Sequence, residues 1–245
     1  MNSGYYAACT GLMSRTLALD TIANNLANVS TAGFRANHNV FSSILATTGN
    51  SSLSVLNQDE NDYGVLSGSH LDNTQGALVP TGNDLDLAME GPGYFAVQTA
   101  TGTAYTRGGN FRVSPQGQLI TAAGDPVMGD NGLITIVGSP VAISPDGTIS
   151  TNGGITGRLR LVEFAPGVEL QSAGGTYYTA PAGAASAAKT SQVRQGMIES
   201  SNVNPVTSVV ELITAQREVE TMRRVLTMFS NELDKTAAQD LPRVS

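Results

Sequence analysis

The 245-residue chain carries 13 Lys and Arg against 20 Asp and Glu, a formal net charge of -7, the wrong sign for coating nucleic acid. Charged residues are only 13% and aromatics 5%, with no Trp and 27 Gly, which suits a turn-rich β body and close-packed interfaces better than a deep ligand pocket. Cys9 is the single cysteine, so an internal disulfide and a cysteine-based metal knuckle are both excluded.

The N-terminus, "MNSGYYAACTGLMSRTLALD", has no basic region followed by an unbroken apolar run, and no window approaches the length of a membrane-spanning segment. The expectation is a cytosolic chain, or one exported without a cleaved signal. From Tyr5 a heptad of apolar positions runs through Ala8, Leu12, Leu19, Ile22, Leu26 and Val29, with Arg15 as the exception. Steps of three and four predict a helix with one seam, as in a coiled coil. Ser30 and Thr31 are poor helix formers, and Gly33 can take the left-handed conformation that closes the helix. Between Met1 and Asn57 only Arg15, Asp20 and Arg35 are charged. The back of this helix therefore carries neutral side chains, and Asn24, Asn25 and Asn28 stand available for hydrogen bonds to neighbouring chains.

Thr47 to Thr81 is rich in Ser, Asn, Asp, Gly and Thr and reads as a linker or extended arm. His38 and His70 lie in or beside it without a carboxylate cluster, so both read as surface histidines. From about Leu85 the period switches to two. "YFAVQT", "AYTRGGNFRVS", "GQLIT", "GLITIV", "VAIS", "GRLRLVEFA" and "GTYYTA" are short strands separated by Gly, Pro and Asp. "SPQGQLI" at Ser114 recurs as "SPDGTIS" at Ser144, each with the Pro, polar and Gly order of a type I turn closing a hairpin with a bulge. This pattern predicts an antiparallel sandwich or barrel.

"APAGAASAAK" at Ala180 is a low-complexity connection, after which the helical period returns. Asn204 suits the N-cap and Pro205 the first helical position. Val209, Leu212, Val219, Leu226 and Leu233 continue the stripe, reinforced by Ile213, Met222, Val225 and Phe229. A helix from Pro205 to Thr236 would be about 48 Å long, more than one small β body can cover. The simplest way to bury both terminal stripes is to pair the helices with each other, then with copies of themselves. The expected fold class is α+β, with N- and C-terminal helices pairing as a coiled-coil-like bundle around an inserted antiparallel all-β domain. The expected divisions are an N-terminal assembly helix over 1–36, an extended arm over 37–81, the β domain over 82–180, a connection over 181–204, and a C-terminal helix and tail over 205–245.

Three blocks carry a family resemblance. "ANNLANVSTAGFRA", Ala23 to Ala36, resembles the N-terminal signature of bacterial flagellar rod and hook proteins. "GNDLDLAMEGPGYFAVQTATGTAYTRGGNFRVSPQGQLITAAGDPV", Gly82 to Val127, is similar to the segment common to the members with a β domain, and "GMIESSNVNPVTSVVELITAQREVE", Gly196 to Glu220, to the C-terminal signature. Length and the short β body are similar to the rod members rather than the larger hook proteins, and the "TAAQDLPRVS" tail is more like the proximal-rod branch than the distal one. The resemblance implies a structural, non-enzymatic subunit without cofactor or metal, exported through the flagellar type III apparatus and polymerised into the hollow rod that crosses the periplasm. Its implied partners are copies of itself, other flagellar axial proteins and the export apparatus, with no nucleic acid and no membrane insertion. The implied assembly interface comprises Leu12, Leu19, Ile22, Asn24, Asn25, Leu26, Asn28, Val29, Gly33 and Phe34 at one end of the chain. At the other end it comprises Val209, Leu212, Ile213, Gln216, Val219, Leu226 and Phe229.

Rival readings lack support in the residues. Asp84 and Asp86 are two carboxylates without a catalytic constellation, and "GDPVMGDNG" lacks the Lys and Ser/Thr of a phosphate loop. Arg107 in "YTRGG" reads as a turn-flanking residue at a subunit contact, with carboxylate binding as the alternative. A monomeric β adhesin or sugar-binding module would want exposed Trp or Tyr, and the chain has no Trp and seven Tyr.

Overall fold

The computed structural model describes residues 2–43 and 64–240, with side-chain surroundings over 8–39 and 70–231. The Tyr5 and Leu233 seam positions, most of the low-complexity arm and the end of the tail lie outside those side-chain ranges. The chain divides into two compact units. One holds Met1–Leu26, Asn37–His70 and Pro205–Ser245, and the other holds Ala27–Ala36 and Leu71–Asn204.

In the first unit, helix α1 spans Asn2–Ala27 and helix α2 spans Pro205–Asp240. Thr16 and Thr21 are tolerated inside α1 because their hydroxyls donate to the carbonyls of Leu12 and Leu17, at 2.9 and 3.0 Å. Arg15, the exception in the apolar heptad, meets Glu218 of α2 at 3.0 Å, and Met222 Cε lies 3.3 Å from the point a side chain on Gly11 would occupy. The α1 stripe thus bears on α2 at two named places. The arm does not run free after α1. Asn37–Ser43 is a strand paired with Gly64–Leu71, and Asn39 donates its amide to the Leu17 carbonyl and the Thr21 hydroxyl.

At 36 residues α2 is about 54 Å long, beyond the expected end at Thr236. Ser208, Ala215 and Val219 are buried, and Leu212, Met222 and Leu226 are half-buried. Those six follow heptad steps and form the inward seam. Val206, Val209, Val210, Ile213, Met228 and Phe229 stand exposed on the same helix.

In the second unit, a six-stranded antiparallel sheet runs in the order Gln171–Gly174, Tyr177–Thr179, Gly102–Thr106, Tyr94–Thr99, Leu161–Phe164, Ala185–Ala187. Alternation sends Phe95 and Val97 into the main core with Leu87, Leu119, Ile149 and Val193, while Tyr94 turns to a second cluster with Leu71, Val162, Leu170 and Tyr178. Both faces of the sheet are therefore covered. Phe95 meets Phe111 edge-on at 5.2 Å on one face, and Phe164 meets Tyr94 at 5.5 Å and Tyr105 at 5.0 Å on the other. A three-stranded sheet, Val141–Ile143, Thr148–Thr151 and Gly154–Arg158, closes the main core with Ile143 and Ile149.

The repeated turn forms as its sequence predicts. Gly117 N donates to Ser114 O and Gly147 N to Ser144 O, both at 2.9 Å, with φ of 81° and 83° at the two glycines. The expected connection over 181–204 is largely strand. Ala185–Ala187 edges the large sheet, Gln192–Gln195 pairs with Leu87–Glu90, and Met197–Glu199 pairs with Leu78–Pro80. An Ala- and Gly-rich stretch shows no hydrophobic alternation, yet its backbone can still complete a ladder.

Glu163 secures one of these edges. Its Oε1 accepts from the backbone and hydroxyl of Thr190, both at 2.9 Å, and from those of Ser191 at 2.8 and 2.7 Å. Burial raises the Glu163 pKa, but the donors of Ser191 and Thr190 outweigh it and hold the carboxyl at about 2 against an ordinary 4.5. A depressed carboxylate pKa contributes stability above the unfolded value, lost as pH falls through the folded one. Glu163→Gln should lower the urea midpoint at neutral pH, and its deficit relative to wild type should shrink between 4.5 and about 2. A deficit independent of pH would show that the charge on Glu163 contributes nothing.

Candidate assembly site

After α1 ends at Ala27 the chain turns through Asn28 to Gly33, with Thr31 N donating to Asn28 O at 3.0 Å and Phe34 N to Thr31 O at 3.2 Å. Gly33 has φ of 73°, and a Cβ there would sit 2.1 Å from Gly108 N. Only glycine lets the strap lie this close to the β unit. The next residues are bound one by one. Gly33 N donates to Glu199 O at 2.8 Å, Arg35 N to the Tyr178 hydroxyl at 3.0 Å, and Ala36 N to Asn202 Oδ1 at 2.7 Å. Asn202 also donates its amide to the carbonyls of Asp72 and Thr74, at 3.0 and 3.1 Å. Phe34 and Ala36 pack with Val203, and Val29 leans on that cluster.

Beneath the strap lies a buried charge triad. Glu199 Oε1 is 2.9 Å from Arg35 Nη2 and its Oε2 is 3.1 Å from Arg107 Nη1, with all three side chains at most 2% exposed. Glu199 Oε1 also accepts from Gly76 N at 2.9 Å. Arg107 donates to the Gly91 carbonyl at 2.6 Å and to the Met89 carbonyl at 3.4 Å, and its guanidinium stacks 4.7 Å above the Tyr94 ring. Burial lowers the Arg107 pKa while Glu199 opposes that shift, and burial pushes the Tyr94 and Tyr178 hydroxyls up. Among the described residues, Glu199 is the one carboxylate within 4.0 Å of either guanidinium. Residue 35 precedes the β unit, residue 107 lies within it and residue 199 comes just before α2, so one carboxylate ties both of the unit's chain ends to its centre.

The seventeen interface candidates separate by exposure. Asn24, Val209, Ile213, Gln216 and Phe229 are exposed. Leu12, Leu19, Ile22, Leu26, Asn28, Val29, Leu212 and Leu226 are half-buried. Asn25, Gly33, Phe34 and Val219 are buried within the chain. Asn25 is engaged at home: its amide donates to Asn37 O at 2.8 Å and its carbonyl accepts from Asn37 N at 2.9 Å. That pair answers both polar groups of one backbone residue, so the expected bond to a neighbouring chain finds no free atoms on this side chain. Asn28 Oδ1 accepts from the Thr31 hydroxyl at 3.2 Å and shapes the turn. Arg107 is corrected too: it binds a carboxylate within the chain and is 1% exposed, which removes it from any subunit contact. Arg35, Glu199 and Asn202 were not singled out by the sequence. The available signal was Arg35 itself, a charge beside Phe34 in a stretch with almost none.

Removing one partner of a buried ion pair strands the others without charge compensation, at about 3–5 kcal/mol, whereas an exposed pair contributes about 0–1 kcal/mol. Glu199→Ala should therefore cost about 3–5 kcal/mol in urea unfolding. Glu90→Ala, which breaks the half-exposed pair with Arg194 at 2.6 Å, should cost less than about 1 kcal/mol. Equal costs would show that the triad is not a fastening.

Among the described residues no helix is long and apolar enough to cross a membrane, and no group of three or more His, Cys, Asp or Glu is placed to hold a metal. Three family models match along the chain: a flagella basal body rod protein model over residues 6–35, a flagellar hook protein FlgE/F/G D1 domain model over 88–155, and a flagellar basal body rod FlgEFG C-terminal model over 194–239. The strap residues Gly33–Arg35 fall in the first match, Arg107 in the second and Glu199 in the third. The chain is 34% identical to the flagellar basal-body rod protein FlgF of Caulobacter vibrioides over 100% of both chains. It is 37% identical to FlgF of Salmonella typhimurium over 93% of this chain and 94% of the relative. FlgG of Bacillus subtilis is 32% identical over 91% of this chain and 93% of its own. The chain belongs to the flagellar basal-body rod protein family and within it is most like FlgF, with FlgG a near second.

Proposed function

We propose that the chain is a structural subunit that polymerises through its terminal helices into the hollow axial rod of the flagellum, at the proximal end. There it carries torque and lines the path of later exported subunits. The basal body is the place its family occupies. In this reading the subunit leaves the cytoplasm through the flagellar export apparatus without a cleaved signal and takes its position across the periplasm beside other axial proteins. The distal rod is the second reading, supported by the FlgG relatives.

One observation carries the assembly claim. Helix α2 has two apolar faces: the heptad from Ser208 to Leu226 turns inward, and Val206, Val209, Val210 and Ile213 face solvent. A helix that needed only one partner would carry charge on its second face. The α1 and α2 seams pair in the manner of a coiled coil, with Arg15 and Glu218 setting register at the rim, and the outward row of α2 then packs on helices of adjacent subunits. Half-buried Leu12, Leu19, Ile22 and Leu26 line the intrachain seam, and exposed Asn24, Gln216 and Phe229 belong to the intersubunit surface.

Exposed positions tolerate substitution within about 0.5 kcal/mol. The double substitution Val210→Lys with Ile213→Lys should therefore leave urea unfolding of the isolated subunit unchanged while it abolishes rods in electron micrographs and swimming in soft agar. Normal rods from that protein would remove the outward face of α2 from the interface.

A further inference from the structure

The buried triad contains two guanidinium groups and one carboxylate, and Arg107 Nε, buried, has no hydrogen-bond partner. Arg107 also lines a cavity of about 400 Å³ in the β unit, within the size range of ligand sites. Tyr94 shares its floor, Phe164 and Leu170 form an apolar wall, and Val168 stands at the rim. Asn73 lies on the opposite wall with its Oδ1 engaged by the Tyr94 hydroxyl at 3.1 Å. Its amide nitrogen is a second donor facing the same space.

We propose that this cavity is a binding site for a carboxylate carried on a flat apolar body. The carboxylate would accept from Arg107 Nε–H and the Asn73 amide, and the body would lie between Phe164 and Leu170. The positive surplus of the triad favours an anion, and the aromatic wall favours a ring or similar slab over a bare ion. Glu163 at the margin limits the charge: its Oε1 is already filled by Thr190 and Ser191, and its anionic group repels a dianion such as sulfate more than a monoanion. The carboxylate could belong to a free small acid or to a second copy of this chain, and the chemistry at Arg107 is the same.

The test uses the full chain and the Arg107 Nε–H resonance in nuclear magnetic resonance at constant ionic strength. Sodium benzoate should shift that resonance in a saturable way. Benzamide, which keeps the ring and loses the charge, should bind about 10- to 100-fold more weakly, as expected for a lost hydrogen bond to a charged group. Sodium sulfate should not saturate. Val168→Trp, which fills the cavity from its rim and leaves the triad intact, should abolish the benzoate response while the resonance itself persists. A shift that grows with protein concentration in the absence of probe, and is lost in Val168→Trp, assigns the carboxylate to a second copy. An equal response to benzoate and benzamide, no saturable response, or a response that survives Val168→Trp overturns the proposal.

Discussion

The structure depends on the carboxylate of Glu199. Both of its oxygens are engaged by guanidinium groups, one also takes the Gly76 amide, and the backbone carbonyl of the same residue takes the Gly33 amide. Placing such charges in a protein interior costs several kcal/mol per ion, so a buried triad adds little stability over a well-packed apolar substitute. What it supplies is geometry. A guanidinium fork accepts one planar arrangement of its partner, whereas apolar contact is satisfied by many. For a subunit whose helices must leave the β unit at reproducible places, directional bonds where the chain joins that unit suit the task.

The terminal helices obey a different rule. Their seam is a heptad of Leu, Ile, Val, Met and small residues, which specifies pairing without strong geometric demand. Arg15 breaks the apolar pattern only to meet Glu218 at the half-exposed edge of the seam. The N-terminal asparagines divide in the same way. Asn25 and Asn39 tie α1 to the strand that follows it, and Asn28 shapes the turn. An amide can do this at lower desolvation cost than a charged group, which accounts for a neutral helix rich in Asn without assigning every amide to a neighbour.

Legibility followed the range of the interaction. The Ser-Pro-x-Gly turns, the strand at Tyr94–Thr99 and the helix beginning at Pro205 are specified by neighbours in sequence, and each stands where the pattern puts it. The heptad also predicted which α2 positions turn inward at Leu212, Val219 and Leu226, but not that Val209 and Ile213 face out. A stripe with apolar residues at adjacent positions reads the same whether it has one covered face or two. The edge strand at Ala185–Ala187 and the triad were hidden for another reason. Backbone pairing leaves no hydrophobic period in an Ala-rich stretch, and nothing local in "GFRA", "YTRGG" or "MIES" says that three charges will meet.

The central claim is that Glu199 fastens both chain ends of the β unit through one carboxylate and one carbonyl. Native-state hydrogen exchange on the full chain, read at the Gly33 and Gly76 amides as denaturant is raised, tests it directly. If the claim holds, the two amides share one opening free energy and lose protection together, since both are bonded to Glu199. Exchange at Gly33 at the rate of a frayed terminus, with Gly76 still protected to global unfolding, would show that the strap is held independently and would contradict the account.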